Sequence, residues 1–394
     1  MNSMLAIRAG RILTPLKDIS PATILVEGEK ISAVGTPDEI SIPAGSTVID
    51  ATDKIVVPGF IDTHIHAGEG HYFGDDVEST TELCKNMVDR GTTSLLPTLE
   101  TQPMMEEILR RVRVVRQVMV EGTGGAEILG IHMEGPFLSG ADVARGSQLV
   151  PALREPSVEE LHQLVEAAEG TIRKMSIAPE LDGALGVIRE MVKLNIVPSA
   201  AHSTATYREA MAAVEAGLSC ATHAFNGMIP FHHRKPGLLG AVLTCDEIHA
   251  ELIADGQHVG TVAMEILWRC KGVERIHLIS DNTIWAGMPN GTYDWSGGRS
   301  IVKDDHRAYV VGGTLAGSVA SMNFDVANLA RSVGCSLAEA VQMATLNPAR
   351  LIGVDGRKGS LEPGKDADLL LIDEEVNVYM TLVQGRQVYR AKRG

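Results

Sequence analysis

The stretch KIVVPGFIDTHIH, residues 54–66, is an apolar run rich in β-branched residues that closes on two histidines spaced two apart. Such a run reads as a buried strand with chemistry at its end. Seven more runs follow: TTSLLPTL (92–99), AEILGIHMEG (126–135), RKMSIAPE (173–180), NIVPSAAHS (195–203), CATHAFN (220–226), AELIADGQH (250–258) and RIHLISDNT (275–283). Helical patterns separate them, and that alternation marks parallel βα units. Eight consecutive units close into a (β/α)8 barrel, expected over residues 57–356. His64, His66, Glu134, Glu180, His202, His223, His258 and Asp281 end seven of the eight runs. In a barrel those ends converge on one mouth, the usual place of an active site.

The flanks read differently. Residues 1–56 hold MLAIRAGRIL, ATILVEGEKISAVG and STVIDATDKIV; residues 357–394 hold GSLEPGKDADLLLID and VYMTLVQGRQVYR. These short alternating pieces, broken by turn residues, read as strands and hairpins. The two ends are therefore expected to pair into one small β-sandwich domain beside the barrel. Residues 287–313, rich in Gly and Asp with strand-like TYDW and AYVV, read as a β-hairpin insertion after the eighth strand.

Side chains two apart on a strand share a face, so His64 and His66 present two imidazoles together. Two neutral imidazoles suit a divalent transition metal, although the pair alone is equally compatible with ordinary hydrogen bonding. Glu134, His202 and His223 close three other strands. A carboxylate among histidines can bridge two cations and leave a position for water. Asp281 closes the eighth strand, where a carboxylate can take a proton from that water and pass it to a leaving group. Zinc, iron, manganese and cobalt all suit such ligands, so one or two divalent ions per chain are expected without a choice among them.

The 394 residues are 44% hydrophobic and 22% charged, the composition of a folded globular chain. The formal net charge of −15, with Lys and Arg scattered, argues against a nucleic-acid or anionic-membrane partner. No uncharged apolar run approaches a membrane span, and the N-terminus lacks a secretory pattern. Five cysteines without CxxC spacing read as reduced thiols, so a cytoplasmic location is expected.

The ordered set PGFIDTHIH, HMEGPF, APE, AHSTATYREAMAAVEAGLSCATHAFNGM, PFHHRKPG, IADGQHV, SDN, GGTLAGS and ATLNPAR resembles the amidohydrolase superfamily over nearly the whole chain. It is most similar there to members that deacetylate amino-sugar 6-phosphates. The resemblance implies hydrolysis of N-acetyl-D-glucosamine 6-phosphate to D-glucosamine 6-phosphate and acetate. It implies that Glu134, His202 and His223 hold the principal metal. The His64/His66 version of the first motif implies a second ion, with Glu134 bridging. Asp281 would be the general acid and base, and His258 would help to polarise the acyl carbonyl. Asn226, the Gly227 backbone, Arg234, His233 and His258 would hold the sugar phosphate, with the Arg234 loop reaching across a homodimer interface.

Departures from the family pattern are local. Asn226-Gly227-Met228 stands where Asn-Ala-Met is usual, and Ser280-Asp281-Asn282 where Thr-Asp-Ala is usual. Gln148 stands where a histidine near the sugar is expected; it can hydrogen-bond a hydroxyl but cannot carry charge. This keeps N-acetylgalactosamine 6-phosphate, or another N-acyl amino sugar, as an alternative substrate. Opening of a cyclic amide or cleavage of a dipeptide is a further alternative, but such sites commonly bridge their metals with a carboxylated lysine. A non-catalytic barrel would show lost ligands, and every ligand is present. Of the remaining polar residues, Glu180 reads as a brace, and His132 as a neighbour that supports the ligands. His71, His162, His232, His249, His277 and His306 read as structural or solvent-facing.

Overall fold

A computed structural model of the chain describes residues 4–295, 299–311 and 315–392. Eight parallel strands carry the larger unit: β1 (Phe60–Ile65), β2 (Thr92–Glu100), β3 (Ile131–Glu134), β4 (Ile172–Ile177), β5 (Val197–Ala200), β6 (Cys220–Ala221), β7 (His249–Leu252) and β8 (Ile276–Leu278). They pair in sequence order from β1 to β8. Backbone bonds just past β8 close the ring: the Asp281 amide donates to His64 O at 2.9 Å, and the His66 amide to Asn282 O at 3.0 Å. The expected (β/α)8 barrel is therefore the observed one, with a helix outside each strand.

Those helices start where the sequence signals a cap. Thr206 and Glu209 form a reciprocal capping box at the head of Tyr207–Ala216, and Ser336 and Glu339 do the same for Leu337–Ala344. Both boxes satisfy amides that a helix start leaves unpaired. The apolar helix faces pack onto the strands, as Val112, Val115 and Val118 of Met105–Glu121 do, each fully buried.

The first run of the sequence serves two sheets. Thr47–Pro58 pairs in parallel with Met4–Leu13 and antiparallel with Leu369–Ile372, whereas β1 begins at Phe60. The switch falls at Gly59, where a Cβ would stand 2.1 Å from Thr93 Oγ1; only glycine lets the chains approach so closely. The two chain ends form one continuous eight-stranded sheet with its own core, including Ile7, Ile24, Val56, Leu369 and Leu382. Two hairpins lie in this sheet, Ala22–Glu27 with Lys30–Gly35 and Val378–Val383 with Arg386–Arg390. Glu127, just before β3, docks this unit onto the barrel through Arg357 at 2.6 Å, Lys358 at 2.6 Å and Gln384 at 3.1 Å.

The insertion after β8 corrects the sequence expectation of a hairpin. It is a three-stranded antiparallel sheet of Gly291–Trp295, Arg299–Lys303 and Ala308–Val310 around buried Trp285 and Ile301. The central strand, RSIVK, has too few apolar residues to announce itself. Residues 296–298 and 312–314, covering part of that expected insertion and of the GGTLAGS motif, lie outside the described residues. No helix among the described residues is long and apolar enough to cross a membrane.

Candidate active site

Alternate side chains of a barrel strand face the interior. Here that interior is polar. His132 lies between Thr98 Oγ1 at 3.0 Å and Ser176 Oγ at 2.9 Å, and a hydroxyl chain continues from Ser176 to Thr222 at 2.9 Å and Ser199 at 2.6 Å. The His132 ring stands edge-on to His64, 4.6 Å between centroids. It thus supports a site residue, as its place two residues before Glu134 suggested.

Above this layer, Glu134 is shared by two groups of donors that could hold metal ions: His64, His66 and Glu134, and Glu134, His202 and His223. Glu134 Oε1 lies 3.2 Å from His202 Nε2 and 3.1 Å from His223 Nε2; Oε2 lies 3.5 Å from His66 Nε2. Asp281 Oδ1 sits 3.3 Å from His64 Nε2 and 3.2 Å from His66 Nε2. Asp281 keeps 17% of its side chain exposed against 4% for Glu134, so of these two carboxylates it is the more open to a substrate.

The donor set fits a cation. His64 Nδ1 bonds Glu251 Oε2 at 3.0 Å, His202 Nδ1 bonds Ala144 O at 2.9 Å, and His223 Nδ1 bonds Asn226 O at 3.1 Å. Each acceptor fixes the ring proton on Nδ1 and leaves the Nε2 lone pair turned into the cluster. The electrostatics agree. Burial disfavours a charged His66 or His223, yet the Asp281 and Glu134 carboxylates outweigh it and raise them to about 10 and about 9. Burial likewise opposes ionisation of Glu134 and Asp281, but the surrounding imidazoles hold both well below the usual carboxylate range. Such a site favours net positive charge at its centre, which a divalent ion supplies.

The backbone aims these side chains at some cost. His202 (φ 43°), His223 (φ 33°) and Asp281 (φ 48°) all lie in the left-handed region that non-glycine residues rarely adopt. Gly227 shares it (φ 60°), and a Cβ there would stand 2.8 Å from His202 Nδ1. The alanine usual at this position would therefore need the His202 ring or this turn to shift.

The other sequence candidates fall into place unevenly. Glu180 accepts from Ser203 Oγ at 2.6 Å and from the Thr204 amide at 2.5 Å, bracing the loop that carries His202. His258 Nδ1 bonds Asp255 Oδ2 at 2.7 Å. Arg234 and His233 are exposed on the loop after β6 and bond each other at 2.8 Å. Gln148 lies in the site, where its Nε2 donates to Glu134 Oε2 at 2.9 Å and its Oε1 accepts from Thr101 at 3.0 Å. Both ends of its amide are thus engaged inside the site.

Three further residues escaped the sequence reading. Glu100 ends β2, so all eight strands end in a polar residue; its Oε1 lies 3.6 Å from His66 Nδ1. Glu251 and Lys174 form an ion pair at the barrel axis, both fully buried. The signal for Glu100 was its place at the end of TTSLLPTLE. For a lone Lys or Glu inside a strand no comparable signal exists.

Fold and site together define a hydrolase built on a (β/α)8 barrel around a histidine–carboxylate centre. Residues 55–388 match the amidohydrolase family, and the chain belongs to it. It is 36% identical over 381 residues to an Escherichia coli protein named N-acetylgalactosamine-6-phosphate deacetylase, covering 96% of this chain and 98% of that one. It is 33% identical to the Bacillus subtilis N-acetylglucosamine-6-phosphate deacetylase over 100% of this chain and 99% of that one. The crystal structure of N-acetylglucosamine-6-phosphate deacetylase from Pasteurella multocida superposes with a TM-score of 0.89 at 32% identity, covering 98% of this chain and 99% of that one.

Proposed function

We propose that this amidohydrolase removes the acetyl group of N-acetyl-D-glucosamine 6-phosphate, yielding D-glucosamine 6-phosphate and acetate. The observation that carries the reading is Glu134 shared between two histidine pairs, with Asp281 facing one of them. The named activities of the relatives supply the substrate class.

His64, His66, Glu134, His202 and His223 would hold one or two divalent ions, zinc, iron, manganese or cobalt. When bound, such an ion supplies Lewis-acid activation of water and of the acyl oxygen. Asp281 takes the proton of the attacking water on Oδ1 and returns it to the departing nitrogen. Without that transfer the amide would have to expel a bare amide anion, which neutral water does not permit. Asp255, bonded to His258 Nδ1, leaves Nε2 as the ring nitrogen offered to the substrate. Asn226 and the Gly227 backbone lie on the neighbouring loop, after β6. Arg234 supplies the cationic donor that a 6-phosphate needs, with His233 beside it, within the subunit or across a homodimer interface.

Acetate release by the metal-replete enzyme from N-acetylglucosamine and N-acetylgalactosamine, each with and without the 6-phosphate, tests the reading. Strong preference for N-acetylglucosamine 6-phosphate is expected. Preference for the galacto epimer keeps the chemistry and moves the substrate; no acetate from any of the four overturns the proposal.

A further inference from the structure

Glu251 lies beneath the site and touches both halves of it. Its Oε2 accepts from His64 Nδ1 at 3.0 Å and from the His223 backbone amide at 3.4 Å. Its backbone carbonyl accepts the Ala224 amide at 2.8 Å, holding the turn that carries His223. On its other oxygen it pairs with Lys174 Nζ. Neither residue has any solvent exposure. A buried ion pair gives little net stability over apolar side chains of the same volume, because desolvating two charges is costly. Stability therefore does not account for this pair, but its location does. β4 and β7 lie on opposite sides of the strand order from β1, and only the closed barrel brings Lys174, Glu251 and His64 into one line.

We infer that Glu251, with its charge balanced by Lys174, is the positioning residue that sets the His64 ring and the His223 turn together, so that ion binding in the His64/His66 half depends on it. This rests on the reading of the cluster as a divalent-ion centre. The physical reason is that a histidine ligand needs an acceptor on its outer nitrogen to fix tautomer and ring plane, and a carboxylate acceptor also makes the ligand more basic. Backbone carbonyls do this for His202 and His223, whereas His64 alone of these three uses an ionised side chain. Lys174 supplies the buried Glu251 carboxylate with its partner, since neither side chain meets solvent.

Cobalt(II) titration of metal-free protein, followed by calorimetry and visible absorption, separates the possibilities. Wild type is expected to take up two equivalents. The double variant Lys174→Met/Glu251→Gln removes both charges together and so leaves no unpaired one. It is expected to melt near wild type while the second equivalent weakens about 10- to 100-fold and its absorption band changes. A double variant that titrates and absorbs like wild type overturns the inference. If that variant fails to fold, Glu251→Asp, which keeps the ion pair but retracts the carboxylate by one methylene, gives the same reading: a weakened second equivalent supports the inference, and a wild-type titration overturns it. One equivalent in wild type also overturns it and leaves the proposed function standing; none removes the ion centre on which both rest.

Discussion

Gln148 Nε2 donates to Glu134 Oε2 at 2.9 Å, placing a neutral amide against the carboxylate that both histidine groups share. With its Oε1 bound to Thr101, both ends of this amide are engaged within the site, so a role in orienting Glu134 is open to test. Gln148→Ala should weaken metal binding about 10- to 100-fold and lower turnover of both sugar epimers alike. Chelator competition and kcat/KM for the two 6-phosphates measure this. A change in epimer preference beyond tenfold, with metal binding intact, would return Gln148 to the sugar.

Asp281→Asn keeps the shape of the side chain and removes the base. Because Glu134 and the four histidines remain, the variant should retain its metal while kcat falls about 10²- to 10⁴-fold. Metal content by mass spectrometry alongside kcat decides it; near-wild-type turnover would remove Asp281 from proton transfer.

Arg234 is exposed and bonded to His233, free to meet a phosphate. Loss of a charge-assisted bond of about 1.5–3 kcal/mol predicts that Arg234→Ala raises KM for the 6-phosphate about 10- to 100-fold. The unphosphorylated sugar should be little affected. Equal effects on the two would show that Arg234 does not bind phosphate.

Asp325, on the helix Met322–Val333, is fully buried, and neither carboxylate oxygen has a hydrogen-bond partner among the described residues. Burial, reinforced by the charges of Asp255 and Asp62, pushes its pKa well above the ordinary carboxylate value. The folded state thus prefers the protonated acid. Its contribution to stability is complete below the unfolded pKa of about 4 and is lost as pH rises toward the folded one. Asp325→Asn abolishes that ionisation, so its Tm should exceed that of wild type by a margin that grows above pH 4. Parallel Tm-against-pH curves would refute the assignment.

The barrel and most of its candidate ligands were legible in the sequence because both rest on local periodicity. A strand announces itself by a short apolar run, and His64, His66, Glu134, His202, His223 and Asp281 stand at or past the ends of such runs. Parallel βα units then bring those ends together whatever the details of packing. What depended on closure was not legible. Lys174 and Glu251 sit inside strands, 77 residues apart, where an isolated charge reads as a solvated face. Only the closed ring, joined at His64 and Asp281, turns that face into a dry interior and makes the two charges partners. Gln148 likewise lies on a loop, and its contact with Glu134 follows from how that loop folds back over the mouth. Sequence alone determined which residues reach the active-site end; tertiary structure decided which of them touch, because contact between strands is a property of the closed barrel and not of any one run.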